Sequence, residues 1–158
     1  MVATGFNHVT IHADDVDESV EFYTEVFGLE PLPTPTFDVP LVWLRCGDRQ
    51  LHVAERDLDP PPYHHFALEV DDFERVFELA RERGIFDHGG ETSSEPRLFS
   101  LPDGAVQLYL RDPAGNLVEV DWPESETLPD SIREHAVSRA EEVDQDEVAR
   151  EARLFLDR

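Results

Sequence analysis

Residues 6–12 alternate with period two, Val9 and Ile11 to one side and His8, Thr10 and His12 to the other. This predicts a half-buried strand with a polar face. Asp14, Asp15 and Asp17 follow as helix-capping oxygens. Val16, Val20, Tyr23 and Phe27 then recur at helical spacing until Gly28 supplies a left-handed exit. Prolines 31, 33 and 35 exclude a helix and suit an edge or loop. Two strands follow, Leu41 to Leu44 and Gln50 to Ala54, joined by a turn at Gly47-Asp48. Arg56 to Pro62, ending in three prolines, reads as a stiff linker.

The plan then repeats. Tyr63-His64-His65-Phe66-Ala67-Leu68-Glu69-Val70-Asp71-Asp72 restates Phe6-Asn7-His8-Val9-Thr10-Ile11-His12-Ala13-Asp14-Asp15: an apolar alternation with a histidine near its start and an Asp-Asp pair at its end. Phe66, Leu68 and Val70 form the predicted buried face. Asp71 or Asp72 caps a helix carrying Phe73, Val76, Phe77 and Ala80, ended by Gly84. After a polar stretch at 87–95, Arg97 to Leu101 and Ala105 to Leu110 read as paired strands. The turn Asp112-Pro113-Ala114-Gly115-Asn116 leads into a last strand, Leu117 to Asp121. The expected organisation is one domain over 1–123, with module one at 5–56 and module two at 63–122, followed by an acidic helical tail at 124–158. In that tail, segments near 131–143 and 145–157 are expected to be helical, with small apolar stripes (Ile132, Ala136, Val143; Val148, Ala152, Phe155) and capping side chains at Ser131 and Asp144.

Charge narrows the partners. Thirty-six acidic residues against thirteen basic ones, all arginine, give a formal charge of −23. Such a field repels nucleic acid and anionic membrane, so neither is an expected partner. The tail holds eleven acids and five arginines, so most of the excess lies on residues 1–123. An acidic surface around apolar strands reads as halophilic adaptation. Cys46 is the only cysteine, which excludes a disulfide framework and a multi-cysteine zinc site. With no apolar run long enough to span a bilayer, the expected location is cytoplasmic.

Four residues carry candidate chemistry: His8, His52, His65 and Glu119. Each sits in a predicted strand between neighbours of opposite, more apolar parity, and projects from the face the core does not use. Parity also separates adjacent histidines. His64 shares a side with Phe66 and Leu68, whereas His65 shares one with Ala67 and Glu69, so His65 is the functional candidate. His8 and His65 are equivalent in the repeat, as are His52 and Glu119. A lone strand histidine is usually structural. Four such residues at repeat-equivalent positions instead describe a divalent metal site of imidazoles and a carboxylate, suited to Fe, Mn, Ni, Co or Zn. His12 and Glu69 lie one step further along the same faces. Arg97 and Arg111 are candidates for binding an anionic substrate group, with ordinary surface pairing as the alternative.

Three motifs in order carry a resemblance: Asn7-His8-Val9-Thr10-Ile11 with Phe27-Gly28-Leu29-Glu30, then His65 to Asp72, then Arg111 to Val120. Over residues 5–122 the chain resembles the vicinal oxygen chelate superfamily, which includes glyoxalase I, extradiol dioxygenases, fosfomycin resistance enzymes and bleomycin resistance proteins. The resemblance implies an α+β fold of two paired βαβββ modules, an open, curved barrel-like sheet around a metal, and a likeness to proteins that assemble as homodimers. Its ligand positions fall on His8, His65 and Glu119. The second glutamate position of glyoxalase I falls on His52, a departure from that enzyme's pattern. Implied is a metal-dependent enzyme, lyase/isomerase or extradiol-type dioxygenase, acting on a small substrate that chelates through adjacent oxygens, with Glu119 and His52 as catalytic groups. The alternative is a metal-free drug-binding or resistance protein on the same fold.

Salt dependence checks the reading of the charge. Screening at 1 M salt shortens the Debye length to about 3 Å. Chemical unfolding midpoints are therefore expected to rise between low and molar salt, and an unchanged midpoint would contradict halophilic adaptation.

Overall fold

A computed structural model describes residues 2–156. Residue 1 of the expected domain and residues 157 and 158 of the expected tail lie outside the described residues. The elements in chain order are β1 (His8–Ala13), α1 (Val16–Phe27), β2 (Glu30–Leu32), β3 (Leu41–Cys46), β4 (Arg49–Glu55), β5 (His65–Glu69), α2 (Phe73–Arg83), β6 (Phe86–Asp87), β7 (Thr92–Ser93), β8 (Leu98–Ser100), β9 (Val106–Arg111), β10 (Leu117–Trp122), α3 (Asp130–Arg133), β11 (Ala136–Ser138), α4 (Arg139–Glu142) and α5 (Glu147–Glu151).

The two long helices start and stop by the same chemistry. Asp15, in extended conformation, accepts from the N–H groups of Asp17 and Glu18 at 2.9 and 3.0 Å, while Asp72 accepts from that of Arg75 at 3.0 Å. These carboxylates satisfy N–H groups that have no partner inside the helix. At the far ends Gly28 (φ 68°) and Gly84 (φ 65°) take the left-handed conformation that residues with a Cβ avoid. The buried stripe of α2 is the expected Phe73, Val76, Phe77 and Ala80. That of α1 is rotated from expectation: Val16, Ser19, Phe22, Tyr23 and Val26 are buried, and Val20 and Phe27 are only half-buried. Ser19 deceives a hydropathy reading because a small hydroxyl fits between larger neighbours on the face that Tyr23 and Phe22 define.

The strands form two open sheets. In the first, the order is β1-β4-β3-β2. β1 runs parallel to β4, with His8 opposite Gln50 and Thr10 opposite His52; β3 and β4 are antiparallel, with Trp43 opposite His52. In the second, the order is β11-β8-β9-β10-β5, with β6 paired to β7 and β9. Alternation sends Leu51 and Val53 of β4, and Leu108, Leu110, Val118 and Val120 of β9 and β10, into the apolar interior.

The tail departs from two long helices. The segment near 131–143 is a single helical turn, a strand and another turn, and the second segment is helical only over α5. Ile132 is buried, but Val143 and Val148 are exposed. Helices this short gain little from their own hydrogen bonds. Residues 136–138 instead pair parallel with β8, Val137 opposite Phe99, and so satisfy an open sheet edge.

The chain divides into two compact units, residues 2–66 with 111–117, and residues 67–110 with 118–156. The first thus includes the turn between β9 and β10, and that turn is densely bonded. Asp112 accepts from the backbone N–H of Asn116 (2.7 Å), from Asn116 Nδ2 (2.8 Å) and from the Tyr23 hydroxyl (2.8 Å); Asn116 Nδ2 also donates to the carbonyl of His12 (2.7 Å). Arg111 is buried and donates to the carbonyls of Gly115 (2.9 Å) and Pro62 (3.2 Å). It therefore fixes the turn against the linker, where the sequence suggested an anion-binding or surface-pairing residue. Burial raises the Asp112 carboxyl above its ordinary range, against the pull of hydrogen bonds from Asn116 and Tyr23. Burial, then the charge and hydrogen bond of Asp112, push the Tyr23 phenol well up.

Tyr23→Phe keeps the ring and removes one donor from a buried carboxyl. A loss of about 1–3 kcal/mol is expected in urea unfolding, and an unchanged midpoint would show that Asp112 does not depend on the phenol.

Candidate functional site

The first sheet carries a ladder of flat rings. His8 stacks on His52 with centroids 4.1 Å apart and planes 15° from parallel, and His52 stacks on Trp43 at 4.7 Å and 10°. Phe37 leans on Trp43 at 6.3 Å. The arrangement follows from register, since Trp43 is directly opposite His52 and His8 lies diagonally across β4 from it. Wedged between two rings, His52 is buried between aliphatic Leu51 and Val53, while His8 remains exposed. The Trp43 indole N–H is buried without a hydrogen-bond partner.

Hydrogen bonds assign the ring nitrogens. His8 Nδ1 lies 2.9 Å from the Asn7 side-chain oxygen, so it carries the proton and leaves the lone pair on Nε2. His65 Nδ1 lies 3.0 Å from the carbonyl of Tyr63 and is assigned the same tautomer. His52 is opposite: its Nε2 lies 2.8 Å from Gln50 Oε1, which places the lone pair on Nδ1. Burial, and then the neighbouring His8, lower the His52 pKa. His52 is therefore neutral at pH values where an ordinary imidazole is partly charged.

His65 lines a small hollow of about 250 Å³ with His64, His12, Thr10, Asn116 and Pro61 among its walls. His64, exposed and just before β5, faces the same hollow.

Glu119 belongs to a different setting, in the second unit. It is buried on β10 and accepts from Gln107 Nε2 and from the Tyr109 hydroxyl, both on β9. Asp121, two residues on and on the same face, is also buried, with Oδ1 lacking any hydrogen-bond partner. Burial first, then the hydrogen bond and charge of Glu119, raise its pKa; the charge of Glu69 adds to this. Tyr109 is raised by burial and by Glu119, while the Arg139 charge works in the other direction. Gln107, Tyr109, Asp121 and Trp43 were not singled out from sequence. Parity does place the first three on the Glu119 face, but only the fold reveals that Glu119 and Asp121 are buried together.

The sequence-derived set thus falls into three groups: His8 against His52, His65 beside His64 and His12, and Glu119 beside Asp121. Among the described residues no three His, Cys, Asp or Glu side chains are arranged to hold an ion. The donor chemistry nevertheless fits a metal for three of the four. His8 and His65 each pin Nδ1–H to an oxygen and so carry the tautomer of metal-binding histidines, and Glu119 is a carboxylate buried beside the Asp121 carboxyl. His52, stacked on both faces and bonded through Nε2, fits a ligand role less well.

Two open mixed sheets with few helices define an α+β scaffold whose strands carry imidazoles and carboxylates on polar faces. The chain belongs to the Glyoxalase/Bleomycin resistance protein/Dioxygenase superfamily, whose family model matches residues 5–120. It is 31% identical over 129 residues to biphenyl-2,3-diol 1,2-dioxygenase of Metapseudomonas furukawaii, covering 75% of this chain and 40% of that one. The chain therefore spans about two fifths of the length of the curated dioxygenases it matches. Among solved structures, lactoylglutathione lyase from Agrobacterium tumefaciens is 30% identical with a TM-score of 0.53, over 75% of this chain and 93% of the other. A FosX fosfomycin resistance protein of Listeria monocytogenes, solved with Mn(II) and dihydroxypropylphosphonic acid, shares the fold at 15% identity and a TM-score of 0.63, over 79% and 96% of the two chains. No helix among the described residues is long and apolar enough to cross a membrane.

His8→Ala uncovers one face of His52 and removes the neighbouring imidazole. The His52 titration midpoint, followed by NMR in metal-free protein, is expected to rise toward the ordinary imidazole value. A fixed midpoint would mean that neither burial by His8 nor its charge sets the shift.

Proposed function

We propose that the protein is a divalent-metal-dependent enzyme acting on a small molecule that presents two adjacent oxygens, with His8, His65 and Glu119 as metal ligands. The shared tautomer of His8 and His65 supports this reading, because at repeat-equivalent positions both rings are held through Nδ1 to an oxygen. Two imidazoles and a carboxylate suit Fe, Mn, Co, Ni or Zn. A bound ion would supply Lewis acidity toward the substrate oxygens.

The remaining roles belong to side chains. His52 orients His8 by stacking and, kept neutral by its lowered pKa, is available to accept a proton at Nδ1. Gln107 and Tyr109 hold the Glu119 carboxylate in place. Asp121, its pKa raised, retains a proton that Glu119 can share. The chain's active form is proposed to be a homodimer and its reaction either lyase/isomerase or dioxygenase chemistry, which oxygen uptake on catechols separates from turnover without oxygen. A second reading, metal-free binding of a planar molecule, draws support from the ladder of Phe37, Trp43, His52 and His8, whose Phe37 end is exposed.

Elemental analysis of protein purified without chelator is the test. His65→Ala and Glu119→Gln are expected to abolish metal retention. His52→Ala is expected to weaken it by about 10–100-fold at most, and His64→Ala to leave it unchanged. Equal loss from the His64 and His65 variants, or wild-type protein that never takes up metal, would overturn the ligand set.

A further inference from the structure

The tail lies beyond the residues 5–120 that the superfamily matches. It nonetheless brings a charge onto the face of Glu119. β11 extends the sheet next to β8, and the first residue of α4, Arg139, lays its guanidinium over the Phe99 ring with the central carbon 3.5 Å from the centroid. Arg97, preceding β8, approaches the same ring at 5.1 Å. Phe99 is directly opposite Gln107, which donates to Glu119, and packs edge-on against Tyr109 at 6.0 Å. Opposed residues share a sheet face, so the two arginines border the face on which Glu119 and Asp121 lie.

We infer that Arg97 and Arg139 form an anion-recognition pair for the substrate, which therefore carries a carboxylate, phosphate or phosphonate on the side remote from its chelating oxygens. This rests on the metal-dependent reading above. Three observations support it. Arg97 is exposed and makes no ion pair among the described residues. Arg139 is bonded to Glu142 through Nη1 alone, at 2.8 Å, which leaves the rest of its planar fork for a second oxyanion. A chain of net charge −23 repels anionic molecules, so an anionic substrate requires a local cationic contact. Phe99 fixes the guanidinium planes through cation–π contact. β8, which carries Phe99, and β10, which carries Glu119, are separated by one strand and so lie about 10 Å apart across the sheet. That spacing sets the distance between the two functional ends of the substrate.

Dihydrocaffeate, with adjacent ring oxygens at one end and a carboxylate at the other, and its neutral amide are suitable probes. Both would be titrated calorimetrically into full-length protein with Mn(II), at constant salt. The wild type is expected to prefer the acid by about tenfold or more. Arg97→Gln and Arg139→Gln should each reduce that preference and together remove it, leaving the affinity for the amide unchanged, while Arg139→Lys restores part of it. Equal affinity of wild type for acid and amide, binding of neither, or a preference that survives the double substitution would overturn the pair. Omitting Mn(II) tests the metal reading separately: an acid preference that persists without metal sustains the arginine pair while counting against metal chelation.

Discussion

The first compact unit depends on keeping one carboxyl, Asp112, away from water. Isolated burial of such a group is costly, and the chain offsets that cost with donors drawn from far apart: the Tyr23 phenol on α1, and both the backbone and side chain of Asn116. The same Asn116 amide reaches the His12 carbonyl at the end of β1. Arg111 meanwhile fastens the linker at Pro62. Helix, first strand, linker and turn are thus held by one polar knot. β1 and the linker bear His8 and lead into His65, so the positions of two candidate ligands follow from this buried network and not from the strands alone.

Electrostatics differ between the outside of the molecule and its polar faces. Outside, carboxylates are numerous, solvated and screened by salt. Inside, Glu119 and Asp121 are few, dry and mutually repulsive, and the chain responds with hydrogen bonds from Gln107 and Tyr109 and with a retained proton. The imidazole ladder is the counterpart on the first sheet: stacking removes water from His52 and favours its neutral form. Burial thus favours the protonated carboxyl on one face and the neutral imidazole on the other.

Much of the fold was legible because periodicity, caps and turns agreed. Asp72, Gly84 and the four apolar residues of α2 stand where their spacing placed them. The α1 stripe shifted because Ser19 is small enough to be buried despite its polarity. The tail shifted because strand pairing at β8 outweighed weak helical preference, something no local pattern around Ala136 reveals. For the candidate site, parity identified faces but not neighbours. It could not show that His52 would be sandwiched between His8 and Trp43, because that depends on strand register. Nor could it show that Arg111 would point into carbonyls, because burial of an arginine is a tertiary fact.

The interleaving of the two units has a consequence for how the chain acquires its structure. The hydrogen bond from Tyr23 to Asp112 spans 89 positions, and residues 111–117 complete a unit whose other members precede residue 67. On a ribosome the first unit cannot close until residues 67–110, about half of the second, have been made. The N-terminal half must wait with its Asp112 partner absent, and closure over so long a loop favours slow folding. The order of synthesis and the order of assembly are therefore different in this protein: the segment made first is among the last to be finished.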